Sequence, residues 1–164
     1  MNRWIGKIAV VTGSSAGIGL AISRALINHG IKVVGLDKVI KNADEIVAES
    51  EKGNFFPIKC DVTKEEDILE AFKWIDEKFG KLDILVNNAG VHSSTSIIES
   101  NTEEYRRIID TNLIAPAILA REAIRCMKKH NAPGHIINIS SVAGLYLEAI
   151  ALPLGMYGPS KYGL

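Results

Sequence analysis

Short apolar runs rich in β-branched residues alternate along this chain with longer segments whose apolar positions recur at helical spacing. The runs at 7–11, 32–36, 55–59, 84–87 and 135–139 read as strands, apolar enough to be buried on both faces. Residues 19–28 read as a helix with Gly30 at its C-terminal cap. Asn42 and Glu45 have capping-box spacing for a helix to about residue 50. Thr63 and Glu66 repeat it for a helix that runs to 79 and stops at Gly80. Thr102 is expected to cap a long helix reaching His130, with Pro116 inside it. A last helix is expected from Tyr157, with Pro159 in its first turn, where a missing N–H is harmless.

Strands alternating with helices imply βαβ units and a parallel sheet covered on both faces. Right-handed crossovers then place the strands in a doubly wound α/β order. No repeat, low-complexity tract or charge block interrupts the pattern, so residues 1–164 read as a single domain.

Composition narrows the classes. The 164 residues carry 19 Lys plus Arg and 19 Asp plus Glu, a balance with no footprint for nucleic acid or an anionic membrane. Apolar residues at 47% and charged residues at 23% are ordinary for a globular chain and argue against disorder. Two cysteines, Cys60 and Cys126, are too few for a disulfide framework, and neither is joined to a histidine by a metal-ligand spacing, so no metal is expected. They read as reduced packing thiols of a cytoplasmic protein. The stretch 145–156 is interrupted by Glu148 and Pro153 and is too short to span a bilayer. The chain runs almost at once into its first strand, which leaves no room for a secretory signal.

The first strand leads into Thr12-Gly13-Ser14-Ser15-Ala16-Gly17-Ile18-Gly19 and then a helix. Glycines there permit a tight reversal and close approach of the backbone to a pyrophosphate, and the helix N-terminus supplies N–H groups and a partial positive charge. The spacing is not the common G-x-G-x-x-G, so the weight rests on the strand–turn–helix context. Asp37 lies 18 residues after Gly19, at the end of the second strand, where a carboxylate accepts from the adenosine ribose hydroxyls. It would repel a 2′-phosphate, which favours NAD over NADP, whereas Lys38 beside it pulls the other way. Position 16 is Ala, so no second cation helps a phosphate.

At this point the chain resembles the short-chain dehydrogenase/reductase family. The glycine turn fits that family's T-G-x-x-x-G-x-G, Cys60-Asp61-Val62 fits its adenine segment, and Asn87-Asn88-Ala89-Gly90 fits its N-N-A-G. Asn112 matches the Asn of the long helix, residues 138–144 the serine segment, and Tyr157-Gly158-Pro159-Ser160-Lys161 the Y-x-x-x-K. Residues 1–7, residues 57–61 and the long gap before Tyr157 look most like the insect farnesol-dehydrogenase-like members. That subgroup implies an apolar alcohol or ketone, such as an isoprenoid or a steroid, and usually NADP with a basic pair after the second strand, from which Asp37-Lys38 departs.

The resemblance implies a Rossmann-like fold and hydride transfer between NAD or NADP and a small-molecule alcohol or carbonyl. Gly13, Ser15, Gly17, Ile18 and Gly19 would hold the phosphates, and Asp61 and Val62 the adenine. Asn88, Ala89, Gly90, Tyr157 and Lys161 would complete the cofactor contacts. Tyr157 would exchange a proton with the substrate oxygen, and Lys161, one helical turn on, would favour the phenolate by its charge. Ser141, preferred to Ser140 by its spacing to Gly144, would hydrogen-bond that oxygen. Pro116 lacks an N–H, which leaves the Asn112 carbonyl free to hold a water in a proton relay. His92 is read as a solvated loop residue near the substrate mouth.

The family form continues past Tyr157 with more strands and the substrate-binding helices, so the domain is expected to be C-terminally incomplete, truncated after the fifth strand and the start of the following helix. The family's usual homo-oligomer packs the long helix and the helix after Tyr157 against their symmetry mates. An alternative class is a non-enzymatic nucleotide-binding or interaction domain that keeps the motifs without turning over.

Overall fold

Apolar alternation along the first strand decides the layering. In β1 (Ile8–Thr12), Ile8 and Val10 join one core cluster while Ala9 and Val11 join another, so both faces of the strand are buried. The computed structural model describes residues 4–40, 53–93, 95–131, 133–145 and 154–164. Its further strands are β2 (Lys32–Asp37), β3 (Phe55–Lys59), β4 (Ile84–Asn87) and β5 (His135–Asn138). They form one parallel sheet in the order β3-β2-β1-β4-β5, the doubly wound arrangement expected from the sequence. The helices are α1 (Gly17–Asn28), α2 (Glu65–Phe79), α3 (Thr102–Ile109), α4 (Ala115–Lys129) and α5 (Tyr157–Tyr162).

The two faces are covered differently. Ile68, Phe72 and Ile75 of α2 and Leu119 and Ala123 of α4 bury Val10, Val34 and Leu85. On the other face, Leu20, Ile22 and Leu26 of α1 pack on Val11, Val33 and Val86. Pro57 is tolerated because β3 is a sheet edge, where a missing N–H breaks no ladder. β5 lies at the opposite margin, with His135, Ile137 and Asn138 exposed. Among the described residues, no helix is long and apolar enough to cross a membrane.

Three local expectations are corrected. Thr63 and Glu66 form no capping box, since Lys64 holds the N-cap position of α2 without a side-chain bond. The Thr63 hydroxyl instead donates to Asp61 Oδ1 at 2.7 Å, so its side chain is spent on the preceding turn. Asn101 rather than Thr102 caps α3, its side chain accepting from the Glu104 N–H at 2.9 Å. The long helix is not continuous α-helix: residues Asp110–Ile114 form a π-turn, in which the Ala115 N–H bonds the Asp110 carbonyl. Pro116 explains its position, because its ring crowds the carbonyl of residue 112 and it has no N–H to offer. The helix expected from Asn42 lies outside the described residues.

A buried carboxylate fastens the strand beginnings together. Asp83 is fully buried, and accepts from the Ile8 N–H at 2.9 Å and from Lys7 Nζ at 2.8 Å. Its own N–H donates to the Ile8 carbonyl, and its carbonyl accepts from the His135 N–H. Asp83→Ala would strand the Ile8 N–H in an apolar layer, and we expect about 2–3 kcal/mol of lost stability. A urea titration of the two proteins measures it, and an unchanged midpoint would refute the role.

Candidate active site

The C-terminal ends of β1 and β4 bring the glycine turn and the Asn87–Gly90 segment together. The turn after β1 is held by its own side chains. Thr12 Oγ1 accepts from the N–H groups of Asn88 and Ala89 at 3.0 and 2.9 Å, and Asn88 Nδ2 donates back to the carbonyls of Thr12 and Gly13 at 2.9 and 3.3 Å. Two of the motifs, 75 to 77 residues apart, are thereby locked into one unit. Gly13 has φ +64°, and its N–H bonds the Leu36 carbonyl at 2.8 Å. At Gly19, a Cβ would stand 2.1 Å from the Gly13 carbonyl oxygen and 2.5 Å from Asn88 Nδ2, so only glycine allows α1 to start this close to the turn. The N-terminus of α1 has no side-chain cap and no acidic residue in its first turn, a setting suited to an anion.

Beside this turn opens a cavity of about 520 Å³, and Gly13, Asp37, Asp61, Val62, Ala89 and Gly90 all line it. Gly17 and Ile18 are exposed at the start of α1, while Gly19 and Asn88 stand behind the wall as the parts that shape it. Asp37 Oδ2 accepts from the Ser15 N–H at 2.9 Å, which fastens the end of β2 to the turn. Lys38, offered by the sequence as a phosphate partner, pairs instead with Asp61 Oδ2 at 2.8 Å. Burial raises the Asp61 carboxyl, but the bonds from Lys38 and Thr63 outweigh it and hold the group below its ordinary value. Cys60 also lines the cavity, yet burial and then the charges of Asp67 and Asp61 push its thiol up to about 12, so it stays protonated and inert.

Asn112 and Lys161 meet beside Gly90, one of the residues that line that cavity. A Cβ on Gly90 would stand 3.5 Å from both Asn112 Oδ1 and Lys161 Nζ. The Asn112 side chain is fully buried and clamps Val91, accepting from its N–H at 2.9 Å and donating to its carbonyl at 2.8 Å. It also donates to Ser160 Oγ at 2.9 Å, so the π-turn, the loop after β4 and α5 share one side chain. Lys161 Nζ donates to the Ile139 carbonyl at 2.8 Å, and burial lowers its ammonium from the ordinary value. Tyr157 sits half-buried at the head of α5, and its hydroxyl has no hydrogen-bond partner among the described residues. The two serines differ: Ser140 Oγ is committed to the Lys161 carbonyl at 2.8 Å, whereas Ser141 Oγ accepts from the Ala143 N–H at 3.2 Å and caps the short turn Val142–Gly144. His92 is exposed, as its loop position suggested.

Three contributors escaped sequence reading. Thr12 was visible only as a motif letter, and its role as acceptor for two N–H groups needs the β4 loop beside it. Asn87 Nδ2 donates to Asn138 Oδ1 at 2.9 Å across β4 and β5, and its own Oδ1 is buried without a partner among the described residues. Gly35 lets Ser14 Oγ approach β2, since a Cβ there would stand 2.5 Å from it.

Comparison with known proteins agrees with this fold. Residues 7–164 match the family model described as short chain dehydrogenase. The chain is 44% identical over 148 residues to farnesol dehydrogenase of Aedes aegypti, covering 88% of this chain and 60% of that protein. It is 44% identical over 169 residues to dehydrogenase/reductase SDR family member 11 of Gallus gallus, covering 100% of this chain and 66% of that protein. A short chain dehydrogenase/reductase from Burkholderia phymatum, solved in complex with NAD, superposes with a TM-score of 0.89 at 28% identity, over 99% of this chain and 58% of that one. The chain thus spans 60% to 66% of the length of these two curated relatives.

Proposed function

The chain belongs to the short-chain dehydrogenase/reductase family of oxidoreductases, and from that premise we propose that it transfers a hydride between NAD and an apolar alcohol or carbonyl substrate. The observation that carries the reading is the approach of Lys161 and Asn112 to Gly90, which lines the same cavity as Asp37 and Gly13 of the glycine turn. The residues fit a dinucleotide: Gly13 and Gly90 line the cavity with backbone alone, so no side chain stands between a ligand and the turn. When bound, the nicotinamide supplies the hydride donor or acceptor.

The chain's own residues supply the rest. Tyr157 gives a proton to the substrate oxygen during reduction and takes it back during oxidation. Ser141 donates a hydrogen bond to that oxygen as its charge develops. Lys161 places a buried positive charge one helical turn from Tyr157 and would hold the nicotinamide ribose when the cofactor is bound. Asn112 positions α5 and the β4 loop through its side chain, and its carbonyl, which Pro116 cannot engage, holds a relay water. An apolar substrate is supported by the activities for which relatives are named, farnesol dehydrogenase and a 3beta-hydroxysteroid dehydrogenase at 37% identity.

NAD is favoured over NADP because Asp37 faces the cavity and Lys38 is held by Asp61. A 2′-phosphate against that carboxylate would cost several kcal/mol. Titration with NADH and NADPH, followed by cofactor fluorescence, should show saturable binding that prefers NADH. Asp37→Asn keeps an acceptor for the Ser15 N–H and removes the charge, so the preference should fall by about tenfold or more. Equal or tighter binding of NADPH by the unaltered chain would overturn the cofactor assignment. Tight NADH binding with no oxidation of NADH by any member of a ketone panel would favour the second reading, a nucleotide-binding domain without turnover.

A further inference from the structure

At the sheet edge where β4 and β5 begin, opposite the cofactor cavity, α2 and α4 bring three metal-ligating side chains together. Asp76, Cys126 and His130 each offer one ligand atom, and these atoms all lie within 4.8 Å of one another. His130 Nε2 is 2.6 Å from Asp76 Oδ1. His130 follows Cys126 by one helical turn, its N–H bonding the Cys126 carbonyl at 3.3 Å, so both side chains leave the same face of α4 toward α2. Reading the two cysteines as unconnected to any histidine is corrected here: the i, i+4 spacing is present in the sequence, and the fold adds Asp76 from 50 residues upstream of Cys126.

We propose that Asp76, Cys126 and His130 form a zinc site that ties α2 to α4, with water in the fourth position. One sulfur, one nitrogen and one oxygen suit zinc and do not suit magnesium or calcium. Tetrahedral bonds of about 2.0–2.3 Å set ligand atoms roughly 3.2–3.7 Å apart, so the present cluster has to adjust by on the order of an ångström. The carboxylate is already oriented for it. Lys129 Nζ holds Asp76 Oδ2 at 2.6 Å and leaves Oδ1 facing His130, an outer partner of the kind that tunes ligating carboxylates. Cys126 is buried, which shields a metal–sulfur bond from water. Binding is ligand exchange without redox: the Cys126 thiol yields its proton to solvent, and Asp76, His130 and the thiolate replace waters of the ion. With Zn²⁺, one thiolate and one carboxylate, the inner set is neutral beside Lys129.

Cobalt(II), titrated into the reduced chain, is the probe. The expected result is a thiolate-to-cobalt charge-transfer band with intense visible bands of four-coordinate cobalt, saturating at one equivalent and bleached by zinc. Cys126→Ser should lose the charge-transfer band, whereas Cys60→Ser should retain it. His130→Gln, at a partly exposed helix end, should weaken cobalt binding by at least about tenfold. Zinc should also raise the melting temperature of the unaltered chain and not that of His130→Gln. Absence of the charge-transfer band, its survival in Cys126→Ser, or a melting temperature unmoved by zinc would overturn the site and leave Asp76, Lys129 and His130 as an ion-pair cluster alone. None of these readouts depends on NADH binding.

Discussion

Replacing Tyr157 by Phe lowers the single-turnover rate of NADH oxidation by about 10²–10⁴-fold, while the affinity for NADH falls by no more than one lost hydrogen bond, roughly tenfold. The asymmetry follows from what surrounds the phenol. The Ser140 hydroxyl is bound to the Lys161 carbonyl, the Ser160 hydroxyl donates to the Tyr157 carbonyl, and Lys161 Nζ is bound to Ile139. Among the polar side-chain groups of α5, the Tyr157 and Tyr162 hydroxyls have no partner within the described residues; Tyr162 is exposed, whereas Tyr157 is half-buried and uncommitted to the fold. Removing it should therefore leave the helix and the cofactor cavity in place. Stopped-flow absorbance with an apolar ketone measures the rate, and fluorescence titration measures the affinity. An equal loss in both quantities would mean that Tyr157 serves binding and not proton transfer.

Gly19→Ala is the second large effect, and it acts through the fold. A Cβ at 2.1 Å from the Gly13 carbonyl oxygen cannot be absorbed by a swinging side chain, because the obstacle is backbone. Gly13 is itself fixed, its N–H bonded to Leu36 and its carbonyl to Asn88 Nδ2. Relief requires α1 to slide from the turn, which opens the lock between Thr12 and the β4 loop and moves the N–H groups at the start of α1. We expect a loss of about 3 kcal/mol, a melting temperature lower by roughly 6–12 °C, and no measurable NADH binding. Gly17→Ala is the informative contrast. Its φ of +51° strains an Ala, but no atom lies within 4 Å of the added Cβ, so the cost should be only about 1–2 kcal/mol. Equal melting temperatures for the two variants would refute the close-approach explanation.

The alternation of strands and helices was legible because its causes are local. A strand buried on both faces must be a short apolar run, as in β1 and β4, and a helix of this layer must repeat its apolar positions every turn, as in α2. Gly80, in the left-handed conformation at the end of α2, was legible for the same reason. The family motifs were legible as well, so the chain by itself determined the parallel sheet and the order of the motifs along it. Caps were less secure, since Thr63 and Asn101 each had a rival for the same few N–H groups and the winner depended on neighbours such as Asp61.

Tertiary structure decided which partners the polar groups take. Lys38 turns to Asp61, Asn112 clamps Val91 with its side chain, and Asp83 fastens Ile8 from 75 residues away. Asp76, Cys126 and His130 converge only when α2 and α4 pack side by side. A hydrophobic period states which face of an element is buried, and it carries no information about which distant donor will stand opposite a given carboxylate. That choice is made when desolvated polar groups from separate elements must satisfy one another in the space the packed helices and sheet leave between them.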